Sequence, residues 1–126
     1  MPEWKPEGWH SITPRLVARD PAALVRFLKD VFDARGEFTS DMPSQLQIGD
    51  SIVMVSGAGL RELTSSFLYL YVEDADATYQ RALKAGANSI EEPADMPYGD
   101  RRAMIEDPGG NVWQIATRQR PRFSMP

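Results

Sequence analysis

The apolar residues of this chain follow one order of spacings that occurs twice. Strand-like apolar runs at Thr13–Arg19 and Phe67–Val72 are each followed by an aspartate and then by apolar residues at helical spacing. Further strand-like runs follow each predicted helix. The repeat is too long for a solenoid and has the length of a βαβββ unit. It therefore predicts an α+β fold built from two tandem βαβββ modules.

Both predicted helices begin at an aspartate, which caps a helix by accepting hydrogen bonds from its first backbone N–H groups. Asp20 is followed by Pro21, a residue favoured in the first helical turn, and Asp74 opens the second helix. The first helix has one apolar stripe, Leu24, Phe27, Leu28, Val31 and Phe32. The second has a shorter stripe, Ala75, Tyr79, Ala82 and Leu83, and Gly86 is expected to end it.

The remaining strands are predicted from short apolar runs between turn residues. In the first module they are Glu37–Ser40, Gln45–Ile48 and Ser51–Val55. In the second they are Ser89–Glu91, Arg102–Glu106 and Asn111–Ala116, with a loop at Pro93–Gly99. The whole chain, 1–126, is expected to be one domain: arm 1–10, module one 11–56, linker 57–65, module two 66–117 and tail 118–126.

Composition and charge narrow the function classes. The net charge is −4 at pH 7, and three of the basic residues, Arg118, Arg120 and Arg122, lie in the tail. The rest of the chain is therefore more acidic than the net charge suggests. Nucleic acid is not expected as a partner, because its phosphates are bound by clustered basic side chains. No apolar run is long enough to span a membrane, and a cytoplasmic location is expected. The chain has no cysteine and a single histidine, His10, which excludes thiolate catalysis and any site with two histidine ligands in one chain.

Several longer motifs resemble a known family. In the second half these are Leu68–Ala77, Ala85–Ala87, Pro97–Arg101 and Asp107–Thr117; in the first half they are Pro6–Pro14 and Ile48–Ser51. Together they are similar to the vicinal oxygen chelate superfamily, which has the glyoxalase/bleomycin resistance/dioxygenase fold, and most of all to its PhnB-like branch. The resemblance implies that the two modules form a curled, barrel-like mixed sheet around a cleft.

The resemblance also implies where a metal would bind. Metal-dependent members take ligands, usually His and Glu, from the first and last strands of each module. The matching positions here are Thr13, Phe67, Gln114 and either Val53 or Met54. None has a carboxylate or an imidazole, so these side chains do not suit a hard divalent ion. We therefore expect no metal and no cofactor.

The candidate ligand-binding residues are these positions together with the neighbours that strand alternation places on the same face. They are Thr13, Arg15, Met54, Phe67, Tyr69 and Gln114. A guanidinium beside aromatic rings suits a planar ligand that carries a carboxylate or phosphate. The alternatives are that Arg15 only pairs with an acidic side chain and that Phe67 and Tyr69 only fill the core.

The sequence thus predicts a metal-independent protein of the glyoxalase/bleomycin-resistance type that binds a small molecule and forms a homodimer. The alternative is a metal-free lyase or isomerase acting on a small carboxylated or aromatic substrate. Its only candidate proton carriers are loop residues, namely Glu62, Asp95, Tyr98 and Asp100. The segment with Tyr98, Asp100, Arg101 and Arg102 is predicted to be either a rim of the cleft or a loop held by an Arg–Asp pair.

Overall fold

A computed structural model describes residues 4–59 and 62–119. The chain divides into two compact units, Met1–Thr64 and Ser65–Pro126, and their boundary lies inside the predicted linker 57–65. Within the described residues each unit contains one sheet and one helix. Arg120 and Arg122 of the predicted tail lie outside the described residues.

The first unit is a three-stranded sheet with one helix. Its elements are β1 (Arg15–Val17), α1 (Pro21–Phe32), β2 (Ser44–Ile48) and β3 (Ser51–Ser56). The strand order is β1-β3-β2, with β1 parallel to β3 and β2 antiparallel to it. The sheet is open, with β1 and β2 as its edges.

The second unit repeats this arrangement with one strand more. Its elements are β4 (Phe67–Tyr71), α2 (Ala75–Lys84), β5 (Asn88–Asp95), β6 (Asp100–Glu106) and β7 (Val112–Arg118). The order is β4-β7-β6-β5, and again the first strand is parallel to the last while the other pairs are antiparallel. The predicted α+β fold with two βαβββ-like modules is confirmed, in the form of two open sheets.

Helix α1 forms where the sequence predicts it. The Asp20 carboxylate accepts a hydrogen bond from the Ala23 backbone N–H at 3.1 Å, and Pro21 is the first helical residue. The helix ends at Asp33, whose φ of 59° is left-handed. Its buried residues are Leu24, Val25, Phe27, Leu28, Val31 and Phe32, so the predicted stripe is confirmed and forms the core of this unit.

Helix α2 is capped in the same way, because Asp74 accepts from the Ala77 backbone N–H at 3.0 Å. Gly86 follows its last turn with φ 100°, as expected of a glycine beyond a helix C-terminus. The predicted stripe is confirmed except that Thr78 is buried and Leu83 only half-buried. In the part of the chain that is described, neither helix has the length and apolar character needed to cross a membrane.

The strand predicted at Glu37–Ser40 is wrong. Only an isolated bridge between Arg35 and Gln47 extends the edge of β2. The backbone after that bridge is satisfied locally instead: the Thr39 N–H donates to Ser44 Oγ at 2.9 Å, and Thr39 Oγ1 donates to the Met42 carbonyl at 3.0 Å. Such short-range side-chain bonds compete with a β-ladder.

The boundaries predicted around Pro93 are also wrong. Strand β5 continues through Pro93 to Asp95, and β6 begins at Asp100, so the loop is limited to residues 96–99. A proline lacks the N–H needed inside a sheet, but it is tolerated on an edge strand or at a bulge. Strand β5 is such an edge, and its register against β6 shifts between Glu91 and Ala94.

Candidate functional site

Each sheet has one face covered by its helix and one open face. In the first unit Leu16, Val53 and Val55 are buried on the helix side. Arg15 lies opposite Met54, and Val17 lies opposite Ser56, so these four residues share the open face. Of the two alternatives Val53 and Met54, it is therefore Met54 that lies beside Arg15. Thr13 is half-buried and lies two residues before β1.

A pocket of about 850 Å³ adjoins Arg15 in the first unit. Its lining residues are Arg15, Val17, Ser56, Gly57, Ala58, Glu62 and Thr64. Arg15 Nε donates a hydrogen bond to Ser56 Oγ at 3.1 Å, which orients the guanidinium along this wall. Among residues 4–59 and 62–119, no ion pair involves Arg15. The alternative that Arg15 only pairs with an acid therefore has no support in this part of the chain.

The open face of the second sheet contains the aromatic candidates. Phe67 and Tyr69 on β4 lie opposite Val112 and Gln114 on β7. Phe67 is 67% exposed and Tyr69 38% exposed, so neither fills the core. The helix side of β7 carries Trp113, which is buried. Strand alternation thus placed these residues on the predicted face, with Gln114 half-buried between its neighbours.

A buried aspartate organises this second face. Asp100 is fully buried, and its Oδ2 accepts hydrogen bonds from the hydroxyls of Tyr69 at 2.6 Å and Tyr71 at 2.7 Å. Tyr69 also contacts the Tyr98 hydroxyl at 3.0 Å. Partial burial, together with the hydrogen bonds to Asp100 and Tyr98, raises the pKa of Tyr69 above its ordinary value. Tyr69 is therefore a neutral phenol at physiological pH.

Arginines hold the ends of β5 and β6 together. Arg101 donates to Asp76 at 3.1 Å and to Asp95 at 3.3 Å, so the turn at 96–99 is closed by an Arg–Asp pair, as one of the two interpretations predicted. Its partners are Asp76 and Asp95; Asp100 instead bonds to the tyrosines. Arg102 donates to Glu91 at 2.7 Å and to the Tyr98 hydroxyl at 3.4 Å. These exposed contacts stabilise local geometry more than they add free energy.

The positions that correspond to metal ligands do not fit a metal. Their side chains are the Thr13 hydroxyl, the Met54 thioether, the Phe67 ring and the Gln114 amide, and a divalent ion prefers carboxylate or imidazole donors. Within residues 4–59 and 62–119, no group of three or more His, Asp or Glu side chains could hold a metal ion. His10 is exposed. The donor set thus disagrees with metal-dependent chemistry at these positions.

Sequence reasoning missed the roles of Ser56, Tyr71 and Asp100. Asp100 was expected on a loop, but it is the first residue of β6 and the shared acceptor of two phenols. The available signal was the alternation of Tyr69 and Tyr71, which places two hydroxyls on one face. A buried carboxylate requires such donors. Only the register of β4, β7 and β6 shows which carboxylate receives them.

Comparisons with known proteins agree on one scaffold. A family model described as the Glyoxalase/Bleomycin resistance protein/Dioxygenase superfamily matches residues 10–115. The uncharacterized protein Mb0911c of Mycobacterium bovis is 30% identical over 123 residues, covering 83% of this chain and 81% of the relative. TioX from Micromonospora sp. has a TM-score of 0.74 at 24% identity, covering 86% of this chain and 98% of TioX. The fosfomycin resistance protein FosX from Mesorhizobium loti has a TM-score of 0.65 at 25% identity, covering 86% of this chain and 91% of FosX.

Proposed function

The chain belongs to the glyoxalase/bleomycin resistance protein/dioxygenase superfamily, and we propose that it uses this scaffold to bind a small anionic molecule without a metal ion. The binding site of the proposal is the pocket beside Arg15. The ligand would present a carboxylate or phosphate on a compact or planar body. Fold alone does not specify a reaction, so the proposal depends on the chemistry of these side chains.

The proposal depends on the position of the Arg15 guanidinium. It lines the pocket, it has no ion-pair partner among the described residues, and its Nε is held by Ser56. Holding one nitrogen leaves the two terminal nitrogens to form the paired hydrogen bonds that carboxylates and phosphates accept. Thr64 adds a hydroxyl to the lining. The volume lies within the range of small-molecule sites.

The absence of chelating side chains at the ligand positions supports the second half of the proposal. Thr13, Met54, Phe67 and Gln114 offer a divalent ion no anionic donor. Binding would then come from shape and hydrogen bonds. A resistance protein against fosfomycin among the structural relatives supports a role in binding a small molecule. We also propose that the protein belongs to the PhnB-like branch, because the motifs at Pro97–Arg101 and Asp107–Thr117 resemble that branch. The same family resemblance is the basis for proposing a homodimer.

Substitution of Arg15 tests the proposal. In calorimetric titrations with benzoate and phenyl phosphate, Arg15→Gln is expected to weaken binding about tenfold, because a hydrogen-bonded charge is lost. Benzamide, which is neutral, is expected to bind weakly to both proteins. Arg26→Gln is the matched control, since Arg26 is an exposed residue of α1 with the same charge.

Two results would contradict the proposal. One is that neither anion binds the unmodified protein. The other is that Arg15→Gln and Arg26→Gln reduce affinity equally, because the effect would then come from net charge and not from the pocket.

One observation favours a second candidate function, a metal-free lyase or isomerase. Glu62 lines the same pocket as Arg15, so a carboxylate that could accept a proton lies on the wall that would hold an anionic substrate. The two functions differ in what happens to a bound molecule. Proton NMR of carboxylated aromatic compounds incubated with the protein in D2O would show C–H exchange for an enzyme, lost in Glu62→Gln. Unchanged spectra in both proteins would leave binding as the function.

A further inference from the structure

Two of the four tyrosines donate their hydroxyl protons to the same buried carboxylate. Tyr69 and Tyr71 bond to Asp100 Oδ2 at 2.6 and 2.7 Å. Distances this short are typical of a hydroxyl that donates to an ionised carboxylate. The other two phenols contact hydroxyl groups: Tyr79 lies 2.7 Å from a serine hydroxyl, and Tyr98 lies 3.0 Å from the hydroxyl of Tyr69. Tyr69 and Tyr71 therefore have a base on the phenol proton.

Two arginines lie near Asp100 in the sheet. Arg118 is opposite it in the pairing of β6 with β7, and Arg102 is two residues along β6 on the same face. A buried carboxylate keeps its charge when hydrogen-bond donors and opposite charges surround it. Asp100 is thus a fixed base that is already bonded to both phenol protons.

A base on the phenol proton assists one particular reaction of tyrosine, the loss of a single electron. Removing an electron from a phenol turns its hydroxyl into a strong acid. When a carboxylate is already bonded to that hydroxyl, the proton leaves together with the electron and no charged radical has to form. At Tyr71 the proton would move along the existing bond to Asp100 Oδ2, and the product would be a neutral phenoxyl radical.

The same carboxylate opposes the other reactive form of a tyrosine, the phenolate. Partial burial, together with the hydrogen bonds to Asp100 and Tyr98, raises the pKa of Tyr69 above its ordinary value. Reagents in solution can still reach both rings, since Tyr71 is 47% and Tyr69 38% exposed, whereas Tyr79 is 5% exposed. Asp100 therefore favours reagents that take an electron over reagents that need a phenolate.

We propose that Tyr69 and Tyr71 form a site of oxidative modification, to which the Asp100 carboxylate directs one-electron oxidants such as the carbonate radical. The oxidant gains one electron and becomes carbonate, and the phenol proton moves to Asp100 Oδ2. Nitrogen dioxide then adds to the ring carbon beside the phenoxyl oxygen. That carbon loses its proton to water and the oxygen takes back the proton from Asp100, which gives 3-nitrotyrosine. The site goes beyond the proposed anion binding, because it requires no bound ligand and lies in the other unit.

Two nitrating reagents separate this effect from simple exposure. Peroxynitrite in bicarbonate buffer produces carbonate and nitrogen dioxide radicals, whereas tetranitromethane reacts with phenolates. Peptide mass spectrometry measures the nitration of each tyrosine in folded protein relative to protein unfolded in urea. With peroxynitrite, this ratio is expected to be about tenfold higher at Tyr69 and Tyr71 than at Tyr98. With tetranitromethane, the ratio at Tyr69 and Tyr71 is expected to fall to about one tenth.

Asp100→Asn replaces the base by a neutral amide of the same shape. It is expected to lower peroxynitrite nitration of Tyr69 and Tyr71 about tenfold and to raise their nitration by tetranitromethane. Asp95→Asn is the matched control, because Asp95 is an aspartate of the same hairpin that pairs with Arg101, and it is expected to change neither pattern. If Asp100→Asn does not fold, the two reagents still decide with the unmodified protein. The same order of tyrosines with both reagents, or unchanged nitration in a folded Asp100→Asn protein, would overturn the proposal.

Discussion

Asp107→Ala is expected to lower the free energy of unfolding by about 3 kcal/mol or more, because it removes the acceptor for several buried donors. Asp107 is 3% exposed. Its carboxylate accepts from the backbone N–H groups of Gly109 and Asn111 and from the Trp113 indole at 2.8 Å. Asn111, fully buried, also donates its side-chain amide to Asp107. Alanine would remove the carboxylate that accepts all of these hydrogen bonds.

Urea unfolding followed by tryptophan fluorescence measures this effect. Asp50→Ala is the control, because Asp50 is an exposed aspartate in the turn between β2 and β3, and it is expected to change stability by less than about 0.5 kcal/mol. Equal unfolding midpoints for the two variants would contradict the structural role of Asp107. The structural role of Asp107 explains why this motif is informative about the fold, since Asp107–Thr117 carries much of the family resemblance. The turn at 107–111 maintains the fold and contributes no residue to the lining of the pocket beside Arg15.

Gly36→Ala is expected to destabilise the protein by about 3 kcal/mol, because a methyl group at this position has no space. A Cβ at Gly36 would lie 2.5 Å from the Gln45 carbonyl oxygen and 2.9 Å from a Leu46 methyl group. The φ of Gly36 is 126°, which non-glycine residues rarely adopt. The backbone cannot move away easily, since Arg35 and Gln47 exchange two hydrogen bonds beside it.

Gly49→Ala separates the steric overlap of a new methyl group from the cost of a positive φ. Gly49 also has a positive φ, 57°, but a Cβ there would meet nothing within 4 Å. Alanine at this turn is expected to cost only the backbone penalty, about 1 kcal/mol. Thermal unfolding of both variants measures the difference. A similar loss of stability in the two would show that the close approach at Gly36 contributes nothing.

The sequence predicts most of the fold because its local signals agree with the tertiary structure. Asp20 and Asp74 cap the helices as expected, and each module's first strand leads into its helix. The wrong predictions occur where short-range hydrogen bonds or an edge position in the sheet determine the structure more strongly than the spacing of apolar residues does. Thr39 bonds within its own segment in place of a ladder, and Pro93 is accommodated because β5 is an edge.

The candidate site could be predicted less fully. Alternation alone places Arg15 on the open face of the first sheet and Tyr69 on that of the second. The choice between Val53 and Met54 required the register of β1 against β3, a contact between residues far apart in the chain. The bond from Tyr69 to Asp100 has the same origin, since it spans β4 and β6. Local patterns contain no information about such pairs.

The central claim is that the protein binds its ligand without a metal ion. Calorimetric titration of phenyl phosphate into protein stripped with EDTA, compared with protein supplied with Mn²⁺, Ni²⁺ or Zn²⁺, tests it most directly. The structure predicts the same affinity, within about twofold, in all of these samples, because Arg15 supplies the charge. Loss of binding after chelation, restored by one equivalent of a single metal, would contradict the claim.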